Sequence, residues 1–199
     1  MQLKGGTGQS LLDLDRFDFF MTSVLNCSIE RDGVLLLALN RPERHNALNF
    51  ELGSALAKAL EKAESDKSIK VVVLTGSGED AFCAGQDMLE EKERDKNLNR
   101  KVSAYLAIDK FTDSPLPLIA AVNGYCFGGG AALACACDIR LASDNAIFRF
   151  PGAEYGLVVA AATLPRLVGV GKAKELILTA KKFRAEEAKK WGFVNEIHD

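Results

Sequence analysis

Two segments carry most of the chemical information in the chain: TGSGEDAFCAGQDM, Thr75 to Met88, and NGYCFGGGA, Asn123 to Ala131. Each follows an apolar run that reads as a strand, so each is placed where ligands bind in open α/β sheets, beyond the carboxyl ends of strands. Three consecutive glycines, Gly128 to Gly130, are conformationally expensive and imply that bare backbone is needed there. Two such loops side by side could aim two backbone N–H groups at one point, the geometry that stabilises negative charge on a carbonyl oxygen. A phosphate cradle is the competing chemistry. Neither segment gives GxxxxGK[ST] or GxGxxG, and Val170-Gly171-Lys172-Ala173 lacks the first glycine and the hydroxyl of a P-loop.

The elements that would hold these loops follow from periodicity. The stretch CSIERDGVLLLALN, Cys27 to Asn40, predicts two strands joined at Asp32-Gly33. Asn49 caps a helix whose apolar positions Leu52, Ala55, Leu56, Ala59, Leu60 and Ala63 recur at helical spacing. Val71 to Leu74 reads as a buried strand. A helix near Asn97 to Phe111 then leads to a strand over Leu118 to Val122, and strand, helix, strand implies parallel crossovers. Ile139 to Ala142 is a further strand. Leu164 to Val168, Lys172 to Thr179 and Ala185 to Trp191 read as helices, the last ended by Gly192. The polar run Glu93 to Lys101 reads as a mobile surface segment.

Composition narrows the partners. The 199 residues are 48% hydrophobic and 26% charged, with a net charge of −2, which leaves no basic footprint for nucleic acid or an anionic membrane. The apolar run Leu116 to Val122 is too short to span a bilayer. Five cysteines without a secretory pattern argue against a disulfide framework and for a reducing, cytoplasmic setting. Cys135 and Cys137, spaced CxC in an apolar stretch, read as buried structural residues rather than metal ligands, and no metal is expected. Residues 1–23 read as a leader or extension without order, ahead of one compact domain over 24–199.

Four motifs in order, LNRPERHNAL (Leu39 to Leu48), VVVLTGSGEDAFCAGQDM (Val71 to Met88), PLIAAVNGYCFGGGAALACACDIRLAS (Pro117 to Ser143) and AEEAKKWGFVNEI (Ala185 to Ile197), together resemble the enoyl-CoA hydratase/isomerase family, the crotonases. The resemblance implies an α/β fold, the crotonase-like (ClpP/crotonase) spiral of ββα units, in homotrimers or dimers of trimers. It implies an acyl-CoA thioester as ligand, with no cofactor beyond the coenzyme A that the substrate carries. The oxyanion hole falls on the N–H groups of Gln86 and Gly129, with Gly128 and Gly130 letting the thioester approach. Coenzyme A is placed around Arg44 and Ala47 and along Ala84, Gly85, Gln86 and Asp87, with the adenine near Phe82 to Ala84. Arg44 either pairs with a coenzyme phosphate or is solvated. Asp87 shapes the loop. Family chains continue through several more helices, so the site or assembly is expected to be incomplete at Asp199.

The positions where the family carries acids are vacant. The hydratase carboxylates map to Ala132 and Gly152, and the isomerase carboxylate to Ala160. General acid/base groups are worth about 10²–10⁴-fold each. Glu154 is the nearest ionisable candidate, against a reading as a solvent-facing glutamate. Tyr125 and Tyr155 are further possible donors. Three functions remain open: an acyl-CoA hydratase/isomerase-family enzyme, an enzyme of enolate chemistry such as decarboxylation, and a non-catalytic acyl-CoA-binding or assembly protein.

Overall fold

The computed structural model describes residues 22–93 and 103–199. Leu25–Ile29 (β1) and Val34–Leu39 (β2) pair antiparallel, and Asp32 and Gly33 between them both take positive φ, as the Asp-Gly signal implies. From β2 onward the large sheet is parallel. It adds Val71–Gly76 (β3), Leu118–Val122 (β5), Ile139–Ser143 (β7) and Glu196–His198 (β10), in the spatial order β1-β2-β3-β5-β7-β10. Burial alternates along β3: Val72, Leu74 and Gly76 are buried while Val71, Val73 and Thr75 are half-buried.

A second sheet of short strands runs beside it: Ala81–Cys83 (β4), Tyr125–Phe127 (β6), Ile147–Arg149 (β8) and Phe183–Arg184 (β9). Strands β4, β6 and β8 are parallel, and β9 closes the edge antiparallel. The two sheets explain each other. β3, β5 and β7 in the large sheet are each followed within a few residues by β4, β6 and β8 in the small one, and helical segments return the chain. That repetition is the expected spiral of ββα units.

Phe50–Ser65 (α1) starts where the Asn49 carboxamide oxygen accepts the Leu52 N–H at 2.9 Å, and it buries Leu52, Leu56, Ala59, Leu60 and Ala63. Met88–Glu93 (α2) and Ser103–Thr112 (α3) follow β4, so the polar segment 94–101 lies outside the described residues. Gly129–Ala136 (α4) buries Gly130 to Cys135 without interruption. A helix enclosed all round must be apolar all round, which is why nothing ionisable follows the glycines. Leu164–Val168 (α5), Val170–Thr179 (α6) and Ala185–Lys190 (α7) complete the chain, with Gly192 at positive φ after α7.

Under the small sheet, Phe148, Phe150, Phe183 and Phe193 form one ring cluster, with centroids 5.2–6.2 Å apart in each contact. No helix among the described residues is long and apolar enough to cross a membrane. Of the expected leader, residues 1–21 lie outside the described residues. Thr22 bridges to Leu25 and the Ser23 carbonyl accepts from Asn40 Nδ2 at 3.0 Å, which ties residues 22 and 23 to the hairpin.

Candidate active site

Three loops meet at the ends of β2, β4 and β6. The Arg41–Leu48 loop is bound to the Ala84–Asp87 loop through main-chain atoms. Ala84 N–H donates to the His45 carbonyl at 2.9 Å, Leu48 N–H to the Gly85 carbonyl at 2.7 Å, and Asp87 N–H to the Leu48 carbonyl at 3.0 Å. This bridge uses the atoms on either side of Gln86 rather than its own amide. Arg44, Ala47, Ala84, Gly85, Gln86 and Asp87 therefore lie on one joined pair of loops. Phe82 does not share that surface. Its ring is fully buried in the core.

The glycine run approaches the same place from β6. Gly85 has φ +99°, and a Cβ on it would lie 2.8 Å from the Phe127 carbonyl oxygen and 3.1 Å from the Gly129 nitrogen. Only glycine allows both that backbone turn and that approach. Gly129 opens α4, where an N–H has no intrahelical acceptor and the dipole is positive. The other two glycines serve the scaffold. Gly128 takes φ +53°, and a Cβ on Gly130 would lie 2.3 Å from the Cys83 carbonyl oxygen. Gly130 thus lets α4 pack on β4.

Two side chains absent from the expected site hold the loops. Arg41 joins Asp87, Nη2 to Oδ2 at 2.9 Å, and gives Nη1 to the Ala47 carbonyl at 2.6 Å. Asp87 Oδ1 also accepts the N–H groups of Leu89 and Glu90 at the start of α2. Burial works against the Asp87 carboxylate, but these bonds, led by Arg41, outweigh it and hold its pKa below the ordinary 3.8. Asn46 is completely buried. Its Nδ2 donates to the carbonyls of Ser77 and Ala81, and its Oδ1 accepts the Arg41 N–H. Asn46 and His45 both take positive φ, a signal that the HN pair of RHNAL offers in sequence.

The three positions at which the resemblance expects acids differ in kind. Ala132 is buried on α4. A Cβ on Gly152 would lie 2.7 Å from the Leu157 carbonyl oxygen and 2.9 Å from Val159 Cγ2, so a side chain there meets an occupied space. Ala160 takes φ +55°. Glu154 belongs to the helical turn Pro151–Tyr155 and pairs with the Arg149 guanidinium, its side chain 44% exposed. Tyr125 is exposed and packs between His45 and Phe127, with centroids 6.2 and 5.3 Å away. All five cysteines are buried free thiols, and burial pushes Cys83, Cys135 and Cys137 up to about 12, which makes them poor nucleophiles.

A family model described as enoyl-CoA hydratase/isomerase matches residues 30–199. The chain belongs to the enoyl-CoA hydratase/isomerase family. It is 40% identical over 179 residues to the short-chain-enoyl-CoA hydratase of Clostridium acetobutylicum, a match covering 86% of this chain and 68% of that protein. It is 36% identical over 173 residues to the mevalonyl-coenzyme A hydratase of Aspergillus fumigatus, covering 83% and 64%. The crystal structure of an enoyl-CoA hydratase from Bacillus anthracis superposes with a TM-score of 0.84 at 33% identity, over 88% of this chain and 70% of that one. The fold is the crotonase fold, and this enoyl-CoA hydratase/isomerase chain spans roughly two thirds of the length of these relatives.

Proposed function

We propose that the chain binds an acyl-CoA thioester across the joined Arg41–Leu48 and Ala84–Asp87 loops and stabilises a thioester enolate with the N–H groups of Gln86 and Gly129. The close approach of Gly85 to the Gly129 nitrogen carries this reading, because the Gln86 amide follows Gly85 directly in the chain and the Gly129 amide is the first of α4. Convergent donors in a shielded site are what an oxyanion requires. The two relatives named as acyl-CoA hydratases support the substrate class. Arg44, exposed at the loop's tip, is the phosphate partner in this reading. Glu154 is given no proton to move, since Arg149 engages its carboxylate.

Vacant acid positions favour chemistry in which the substrate supplies its own electrons. In decarboxylation of a malonyl-type thioester, the bond to the carboxylate breaks and carbon dioxide leaves. The electron pair passes into the enolate held by the two N–H groups, and water returns a proton to carbon. This second reading rests on the filled space at Gly152. Assembly into trimers belongs to the same proposal: Leu157 and Val158, 55% and 68% exposed, form an apolar surface beside Gly152 that a second copy would cover.

The test is a thioester panel read alongside the infrared carbonyl band of a bound, carbonyl-labelled acyl-CoA. A band displaced to lower frequency is expected, with negligible hydration of crotonyl-CoA and turnover of a malonyl-type thioester. Gly129→Pro removes the N–H and should abolish both the displacement and any turnover. An undisplaced band, or turnover that survives the proline, refutes the oxyanion assignment. Binding without turnover of any thioester would leave the chain an acyl-CoA-binding protein.

A further inference from the structure

Arg140, on β7, is a buried cation that the neighbouring Asp138 carboxylate favours through space without pairing with it directly. The residue is 3% exposed, and among the described residues no acid forms an ion pair with it. Its side-chain bonds all go to main-chain carbonyls: Nε to Phe193 at 2.6 Å, Nη1 to Ala134 at 3.3 Å and Cys137 at 2.5 Å, and Nη2 to Asp138 at 3.2 Å. The guanidinium carbon also lies 5.9 Å from the centre of the Phe193 ring. Asn195 locks the backbone of Arg140 in both directions, giving its N–H to the Arg140 carbonyl and taking the Arg140 N–H on Oδ1.

A buried charge held without a direct ion pair is expensive, and an apolar side chain of similar volume would fill the same space without removing a charge from water. The location of the carbonyls accounts for the cation. Ala134 lies in the last turn of α4 and Cys137 is its C-cap, so the guanidinium joins the Cys137 N–H at the Ala134 carbonyl and supplies a donor to the Cys137 carbonyl beyond the helix end. It also sits on the negative pole of the helix, where a cation is favoured. α4 has eight residues, and about 12 Å separates its ends. Gly129 is its first residue. Because Gly130 to Cys135 are buried throughout, the helix has no free side along which to shift.

We propose that Arg140 is the positioning residue for the Gly129 N–H. It anchors the far end of α4 against β7 and the Phe193 turn, and it neutralises the negative pole so that the positive pole at Gly129 stands unopposed. The functional half of this proposal rests on the oxyanion reading above. The structural half, that Arg140 sets the Gly129 amide, does not.

The experiment compares Arg140→Met and Arg140→Lys with the unaltered protein by two readouts beside thermal stability. One is the amide shift and hydrogen exchange of Gly129 without ligand. The other is the carbonyl band of a bound, labelled acyl-CoA. Arg140→Met should move the Gly129 amide, speed its exchange and return the band toward its free frequency. Arg140→Lys keeps the charge but loses the fork of donors, so it should fall between the two and remains informative if the methionine variant does not fold. A Gly129 amide unmoved in a variant whose melting temperature has dropped overturns the proposal and leaves Arg140 a stability residue. A moved amide with a band unaffected by Arg140 overturns the functional half. No band displacement in the unaltered protein instead overturns the oxyanion reading, and the Gly129 amide still decides the structural half.

Discussion

Arg41 and Asp87, 46 residues apart in sequence, meet at 2.9 Å and tie the Arg41–Leu48 loop to the turn that carries Gln86. Both side chains are largely shielded, 13% and 10% exposed. The folded pKa of Asp87 lies below its ordinary value, so the stabilisation is fully present above that value and is lost as pH falls through the folded one. Asp87→Asn should destabilise the protein by about 1–3 kcal/mol at neutral pH. In urea titrations at a series of pH values, the gap between the two proteins should narrow below about pH 4. A gap that stays constant down to strongly acid pH would show that the carboxylate charge contributes nothing.

Asn46 holds the same loop from inside. Asn46→Ala strands the carbonyls of Ser77 and Ala81 and the N–H of Arg41, and it places alanine at φ +55°. A loss of about 2–4 kcal/mol is expected. Asn46→Asp should be worse at neutral pH, because a carboxylate would face two carbonyl oxygens that now accept from an amide. Equal stability of the aspartate and asparagine proteins would contradict this account.

The elements visible in sequence are those long enough to show a period. α1, β3 and the β1–β2 hairpin were legible because apolar residues recur over several turns or alternations, and Asn49 and Asp32-Gly33 mark their ends. The small sheet was not, because β4, β6 and β8 are three residues each, and β4 and β6 lie in glycine-rich stretches that read as loops. Glycine pairs marked where two loops come together. They did not separate Gly85, which approaches Gly129, from Gly130, which only clears Cys83. Arg41, Asn46 and Arg140 were missed for another reason: their partners lie in other segments, and a polar residue's burial has no local signature.

Gly85→Ala tests the approach of the Ala84–Asp87 loop to the start of α4. Its Cβ would meet the Phe127 carbonyl and the Gly129 nitrogen in a backbone conformation that alanine adopts poorly. The expected loss is about 1–3 kcal/mol, together with loss of the bound thioester's carbonyl displacement. Gly171→Ala is the control: it lies in α6 with open space around it and should be neutral or stabilising by about 0.4–1 kcal/mol. If both variants melt alike and the band is unchanged in each, Gly85 is not setting the geometry of the site.

Gly152→Glu asks whether a carboxylate placed where the resemblance expects one confers hydration of crotonyl-CoA. The added Cβ would enter space held by the Leu157 carbonyl and Val159 Cγ2, so the Pro151–Tyr155 turn or the segment after it must move. Overpacking of this kind costs about 1–3 kcal/mol. The carboxylate should therefore arrive out of line, and the variant is expected to melt earlier and to leave crotonyl-CoA unhydrated. Adding Val159→Ala relieves the side-chain contact but leaves the Leu157 carbonyl, so it should recover part of the stability and none of the activity. Robust hydration by Gly152→Glu in a protein that melts normally would show the reverse: the space was available, and the acid alone was absent.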